Sequence, residues 1–339
     1  MNPSRLLPLL LLGLMACKGT TMNTLVPNSD FTEEVLVIYE RIFWWTALLF
    51  VLVQGLLIWI VMRFKATGNE KGEPEQVHGN TQLELTWTVL PVFILLHIAI
   101  PTVATIFKSQ APAGPDALVI NATGKQWWFA FEYPSQGFTT ANELHVPEGQ
   151  EVEIRLQSDN VMHAFWVPQL AAKRDMVPGR VNRIKFTATK QGLYLGQCAE
   201  FCSDSHALMR FRVVVDSKEE FARWAAAQAQ PAATATAAGF QAFQGAGCTA
   251  CHAITGTTAE ANIGPNLSHV GSRTSIAAGV LAHSDAFESG EIDPAKQRAN
   301  FERWIKNAPA VKPGSKMPAF EQLPPEQLSA VVDYLISLK

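Results

Sequence analysis

The stretch Cys198-Ala-Glu-Phe-Cys202-Ser-Asp-Ser-His206-Ala-Leu-Met209 places two thiols, an imidazole and a thioether within one short loop. Thiolate and thioether select copper or iron–sulfur over hard cations, and imidazole suits copper, so the mixture predicts a thiolate–imidazole copper site. A second imidazole, His163, stands at the edge of the apolar, strand-like run Val161-Met-His-Ala-Phe-Trp166. Two Cys, two His and one Met suit a centre of two metals. The alternative is a Cys198–Cys202 disulfide, which leaves the spacing of His206 and Met209 unexplained.

The other three of the five cysteines also have assignments. Cys248-Thr-Ala-Cys251-His252 is the c-type haem attachment pattern, in which two thioethers tether the porphyrin and the histidine becomes the proximal iron ligand. A sixth iron ligand must come from further along. Met317, in the Pro- and Gly-rich loop Lys316-Met317-Pro318, is the choice over His269 and His283, because a Met/His pair raises the haem potential as an electron carrier requires. Cys17 follows a basic residue, an apolar run from Leu6 to Leu14 and the small Ala16, the pattern of a secretory signal over residues 1–16 that would leave Cys17 first and open to lipidation. An uncleaved signal with an unmodified thiol is the other reading.

These groups need positioning elements. No charge interrupts Ile42 to Met62 or Leu85 to Phe107, and each run nearly reaches the roughly 20 residues that cross a bilayer. The expected architecture is a membrane hairpin over 17–110 with helices at about 38–62 and 84–107. Covalent haem and an exported start both belong outside the cytoplasm, so the loop from Gly68 to Asn80 is expected on the cytoplasmic side and Glu84 at the inner end of the second helix. Only His97 lies well inside a span. Short alternating apolar runs from Ala117 to Val215, broken by Gly, Pro and Asn, predict a β-sandwich or barrel. Asp216 to Gln228 suits a capped helix, 230–238 a small-residue linker, and Ala242–Cys251 and Pro325–Leu338 helices of a haem domain. The length of 339 residues allows about two domains besides the hairpin. A net charge of −3, with no basic patch, argues against a nucleic-acid partner.

The stretch up to Val215 resembles subunit II of bacterial cytochrome c oxidase. The matching motifs are Leu83-Glu84-Leu-Thr-Trp87-Thr-Val-Leu-Pro91, Gly124-Lys-Gln-Trp127-Trp-Phe-Ala-Phe-Glu132-Tyr133, Val161-Met-His163, Pro178-Gly179-Arg180 and Gln197 through Met209. The segment from Gly239 to Lys339, including Gly264-Pro265-Asn266-Leu267, resembles a class I cytochrome c, so the plan is that of a caa3-type oxidase. The resemblance implies a multidomain chain: a two-helix transmembrane hairpin, a cupredoxin β-sandwich over 111–229 and an all-α class I cytochrome c domain over 239–339.

It also implies roles. Cys198 and Cys202 would bridge the two coppers of a CuA centre, His163 and His206 would each cap one, and Met209 and the Glu200 carbonyl would be weak outer ligands. The Glu200 carboxylate would share a magnesium ion with subunit I. Trp127 matches the aromatic through which electrons reach CuA, or else it is a core tryptophan; exposure separates the two. Glu84 matches a carboxylate at the mouth of a proton path into subunit I, or else it is a solvated helix-start carboxylate. Asn160 stands where relatives with separate carriers often have an acid, which suits a tethered haem that needs less steering. The implied partners are subunit I, with haem a and the oxygen site, subunit III, and cytochrome c or another donor. The location would be the bacterial inner membrane, with copper and haem on the outer side. Nitrous oxide reductase and a Sco-like copper donor share only parts of this pattern, whereas a free-standing membrane-tethered carrier with no oxidase partner is an alternative that purification separates.

Overall fold

The computed structural model describes residues 21–339 except 67, 69–71, 74, 75, 77, 233–236 and 286–289. Cys17 and the expected signal therefore lie outside the described residues. The chain divides into two units, Glu33–Ala111 and a second made of the residues before and after it.

The first unit is a pair of long helices, α1 (Asp30–Arg63) and α2 (Thr81–Gln110). Both run past the uncharged segments that the sequence marked, because capping and not hydropathy sets their ends. Ser29 Oγ accepts from Thr32 N at 3.1 Å at the start of α1, and the Asn80 side chain accepts from Gln82 N and Leu83 N at the start of α2. Pro91 and Pro101 sit within α2 without ending it. Nearly all the large apolar side chains of both helices are exposed, an arrangement that calls for an apolar solvent. His97 packs edge-on against Trp45 with ring centroids 6.0 Å apart.

In the second unit ten strands form two five-stranded sheets. Alternation supplies the faces: β1 (Leu118–Lys125) buries every second residue. Beside it in the first sheet lie β2 (Trp128–Tyr133), β3 (Phe138–Ala141), β5 (Glu151–Ser158) and β8 (Asn182–Thr187), in the order β3-β2-β1-β5-β8. The other sheet has the order β4-β10-β9-β6-β7, from β4 (Glu143–Pro147), β6 (His163–Val167), β7 (Ala171–Met176), β9 (Gly192–Cys198) and β10 (Arg210–Asp216). Phe129, Phe165 and Phe211 meet between the sheets, with Phe211 4.7 and 4.8 Å from the other two rings. Helix α3 (Lys218–Gln228) begins with a Ser217/Glu220 capping box and adds Phe221 and Ala225 to this core.

The haem-domain segment has its own core, built on Phe243, Phe301, Ile305, Val331, Val332 and Leu335. Its helices are α4 (Ala237–Gly245), α5 (Pro294–Lys306), the single turn α6 (Ala308–Val311) and α7 (Pro325–Ser337), with a two-residue hairpin of β11 (Ser275–Ile276) and β12 (Leu281–Ala282). Two differences from the sequence reading have local causes. The helix expected over Ala242–Cys251 stops at Gly245, because Gly247 turns left-handed at φ 79°, and Cys248–Ala250 form a 3-10 turn. Helix α5 was not anticipated, although Asp293 caps it and Pro294 opens it as start signals should.

Candidate dinuclear metal centre and haem attachment site

Sheet order brings the copper-type donors together. Strand β9 lies between β6 and β10, so Cys198 at its end faces the start of β6, where His163 stands, and the start of β10, just after Met209. Cys198 N donates to Met209 O at 2.8 Å, closing the loop between them. Within the loop Ser203 takes a left-handed φ of 83°, and His206 opens a 3-10 turn.

The result is a compact cage. The two sulfurs are 3.8 Å apart, and both thiols are free, which removes the disulfide alternative. Cys198 Sγ lies 3.8 Å from His163 Nδ1, and Cys202 Sγ lies 3.6 Å from His206 Nδ1 and 3.8 Å from Met209 Sδ. The Glu200 carbonyl is 3.2 Å from Cys198 Sγ. Cys198, Cys202, His163 and Met209 are all buried. The two thiols work against each other: the contact with Cys202 holds Cys198 below the usual thiol range, while the contact with Cys198, together with burial, raises Cys202. A soft cation would relieve that competition by taking the place of thiol protons.

Two sets of contacts around the cage were not read from the sequence, although Asn160 and Trp127 were singled out there for other roles. Asn160 Oδ1 accepts from His163 Nε2 at 2.9 Å, leaving the lone pair of Nδ1 turned towards the cage. Its spacing three residues before His163 was the available signal. Trp127, 7% exposed, donates its indole N–H to the Cys202 carbonyl at 2.8 Å, and Gln126 Nε2 donates to the same oxygen at 3.0 Å. The tryptophan belongs to the sandwich core and touches the cage as well.

The haem segment shows matching orientation. His252 Nδ1 donates to the Pro265 carbonyl at 2.8 Å, so Nε2 is the nitrogen left for iron. Burial lowers His252 and keeps it neutral, as a ligand must be, and pushes Cys248 up to about 11. A Cβ on Gly264 would come within 2.6 Å of the His252 ring, so only glycine fits in that cradle. Met317 is half-buried against the same core as Cys248. His269 is occupied by Gln230 O at 3.0 Å, and His283, fully buried, stacks on Phe301. Glu84 is exposed in the first turn of α2.

Known families and relatives agree with this arrangement. Residues 20–105 match the family described as cytochrome c oxidase subunit II, transmembrane domain, residues 136–217 its periplasmic domain, and residues 236–339 cytochrome c. Cytochrome c oxidase subunit 2 of Alkalihalophilus pseudofirmus is 34% identical, with 99% of this chain and 97% of the relative covered. The Bacillus sp. PS3 protein of that name is 33% identical over 80% and 78%, and that of Bacillus subtilis 30% identical over 98% and 96%. These domains imply copper, haem c and a place beside subunit I in the membrane. The chain therefore belongs to the cytochrome c oxidase subunit 2 family, as an electron-transferring, membrane-anchored subunit of that oxidoreductase with a cytochrome c domain fused behind it.

Proposed function

We propose that this chain is the electron-accepting subunit of a proton-pumping terminal oxidase in a bacterial inner membrane. When bound, haem c on Cys248, Cys251, His252 and Met317, and CuA in the Cys/His/Met cage, supply one-electron chemistry between cytochrome c or another donor and haem a of subunit I, where oxygen is reduced to water. The observation that carries this reading is the cage itself, in which five side chains and one carbonyl converge through contacts of 3.2–3.8 Å.

The protein's part is to hold the donors still. Asn160 and the Pro265 carbonyl fix the imidazole tautomers, and the sandwich core immobilises the thiols, so little rearranges as an electron comes and goes. Val161, Met162 and Phe201 are exposed beside His163 and Cys202, an apolar rim suited to docking on subunit I, with subunit III further off. Among the described residues the Glu200 carboxylate has no hydrogen-bond partner, which suits a magnesium ion shared across that rim. Glu84 would stand at the mouth of a proton path into subunit I, a role that its exposure as a carboxylate bordering a span supports. The domain limits 17–110, 111–229, 230–238 and 239–339, and lipidation of Cys17, belong to the same proposal.

Purification in mild detergent tests it. Haem c, CuA and an a-type haem should co-purify, and Cys198→Ser or His206→Ala should abolish CuA absorption while covalent haem remains. CuA absorption surviving either substitution would overturn the assignment.

A further inference from the structure

Trp127, matched above to an electron entry point or else a core tryptophan, is covered by the chain's own haem domain. Lys312, 4% exposed, reaches out of that domain and donates its ammonium to the Trp127 carbonyl, with Ala277 O at 3.5 Å. Two residues on, Gly314 turns left-handed at φ 76°, and a Cβ there would lie 2.5 Å from Trp127 Cη2 and 2.9 Å from Asp204 Oδ2. Only glycine lets the loop lie flat on the indole. Between them, the Pro313 carbonyl accepts from Ser205 Oγ at 2.5 Å, and Ser205 is fully buried in the loop between Cys202 and His206. This same loop leads, three residues after Gly314, to Met317.

A second set of contacts lies around Thr274–Ala278. Thr274 N and Oγ1 both donate to Glu143 Oε2, at 3.0 and 2.5 Å, and the buried Arg212 donates to Thr274 O at 3.3 Å. Arg210 N donates to Ala278 O at 3.1 Å. Ala277 and Ala278 both hold left-handed φ values of 56° and 57°, uncommon for alanine. Their carbonyls are the ones that Lys312 and Arg210 use. Buried, directional contacts at two separated points define a fixed docking pose, where a linker alone would give only a high local concentration.

We propose that Lys312 and Gly314 latch the haem domain onto the copper domain, so that Trp127 is an internal bridge closed to diffusing carriers and outside donors are confined to the haem domain. The inference rests on the function proposed above. The transfer it serves moves one electron, oxidising reduced haem and reducing the oxidised copper pair, with no bond made or broken. Lys312 is a positioning residue, acting through Trp127.

The test uses the complete oxidase with its cofactors, whose haem c and CuA spectra first establish that the underlying function holds. Without CuA absorption the functional reading fails, and with it this inference. In the wild type, Trp127 should resist oxidative footprinting, and haem-to-CuA equilibration after flash reduction should be independent of viscosity and salt, since buried contacts are little screened. Gly314→Ala and Lys312→Met should each retain both spectra, raise Trp127 labelling several-fold and slow equilibration about tenfold or more, with a new viscosity dependence, as transfer falls back on the tether's effective concentration. Gly314→Ala decides the matter if Lys312→Met fails to assemble. Ready labelling of Trp127 in the wild type, or variants with unchanged labelling and rates, would overturn the latch.

Discussion

At the scale of single residues, identity announces which donors are present and hydrogen bonds decide which atom of each donor is offered. Cys198, Cys202, His206 and Met209 were legible because soft donors at that spacing have few other uses. That His163 turns Nδ1 towards the cage was not, since it depends on Asn160 accepting from the far nitrogen at 2.9 Å. Met317 is the proposed sixth haem ligand on spacing and on its place against the haem-domain core. Met317→Ala should leave haem covalently attached and lower its midpoint potential on the order of 100 mV, within the roughly 0.8 V that axial ligation spans. Redox titration of the c-type absorption band checks this, and an unchanged midpoint would move the ligand elsewhere.

At the scale of elements, β4 and β10 carry a charge cluster that no spacing in the chain announces. His145 Nδ1 lies 2.7 Å from Asp216 Oδ2, its Nε2 lies 3.5 Å from Glu143 Oε1, and its ring stacks on Trp224 at 4.1 Å. Burial works against the charged form of His145, but the hydrogen bond to Asp216 and the nearby Glu143 carboxylate outweigh it and raise the imidazole. Burial likewise works against ionised Glu143, yet His145 and Thr274 bring it down to about 2. The stabilisation from raised His145 is complete below about 6.5 and is lost as pH rises through its folded value. That from depressed Glu143 is complete above its ordinary 4.5 and is lost as pH falls towards 2. The cluster should thus stabilise most between about 4.5 and 6.5. His145→Gln removes the imidazolium from between buried Glu143 and half-buried Asp216, at a cost of about 3 kcal/mol. That cost should lower the thermal midpoint by about 6–12 °C at pH 6 and flatten the alkaline decline. Thermal melts across pH, followed by copper absorption, check both.

At the scale of the whole molecule, the cupredoxin sandwich and the cytochrome c domain share polar, buried contacts. The sequence argued for a tether, and Asn160 suited a haem held by its linker alone. The structure adds fixed points at Thr274 and Lys312 and gives Asn160 a different task, holding His163. Thr274→Val removes one donor to a buried carboxylate and should weaken docking by about 1–3 kcal/mol. Limited proteolysis of the purified oxidase should then cut within 230–238 several times faster, and an unchanged rate would mean that Thr274 does not help hold the domains together.

The sequence by itself determined the chemistry and the order of the parts: a soft-donor loop, a haem motif, two apolar spans and alternating strands are local patterns, each set by residues close in the chain. Tertiary structure alone decided what crosses between parts. Sheet order carried His163 across to Cys198. The Pro265 carbonyl chose the His252 nitrogen, and the left-handed turn at Gly314 let the Met317 loop lie on Trp127. Such contacts join residues up to 185 positions apart. They are fixed by packing and by the need to pair every buried polar group, neither of which has a period or a spacing that a linear sequence displays.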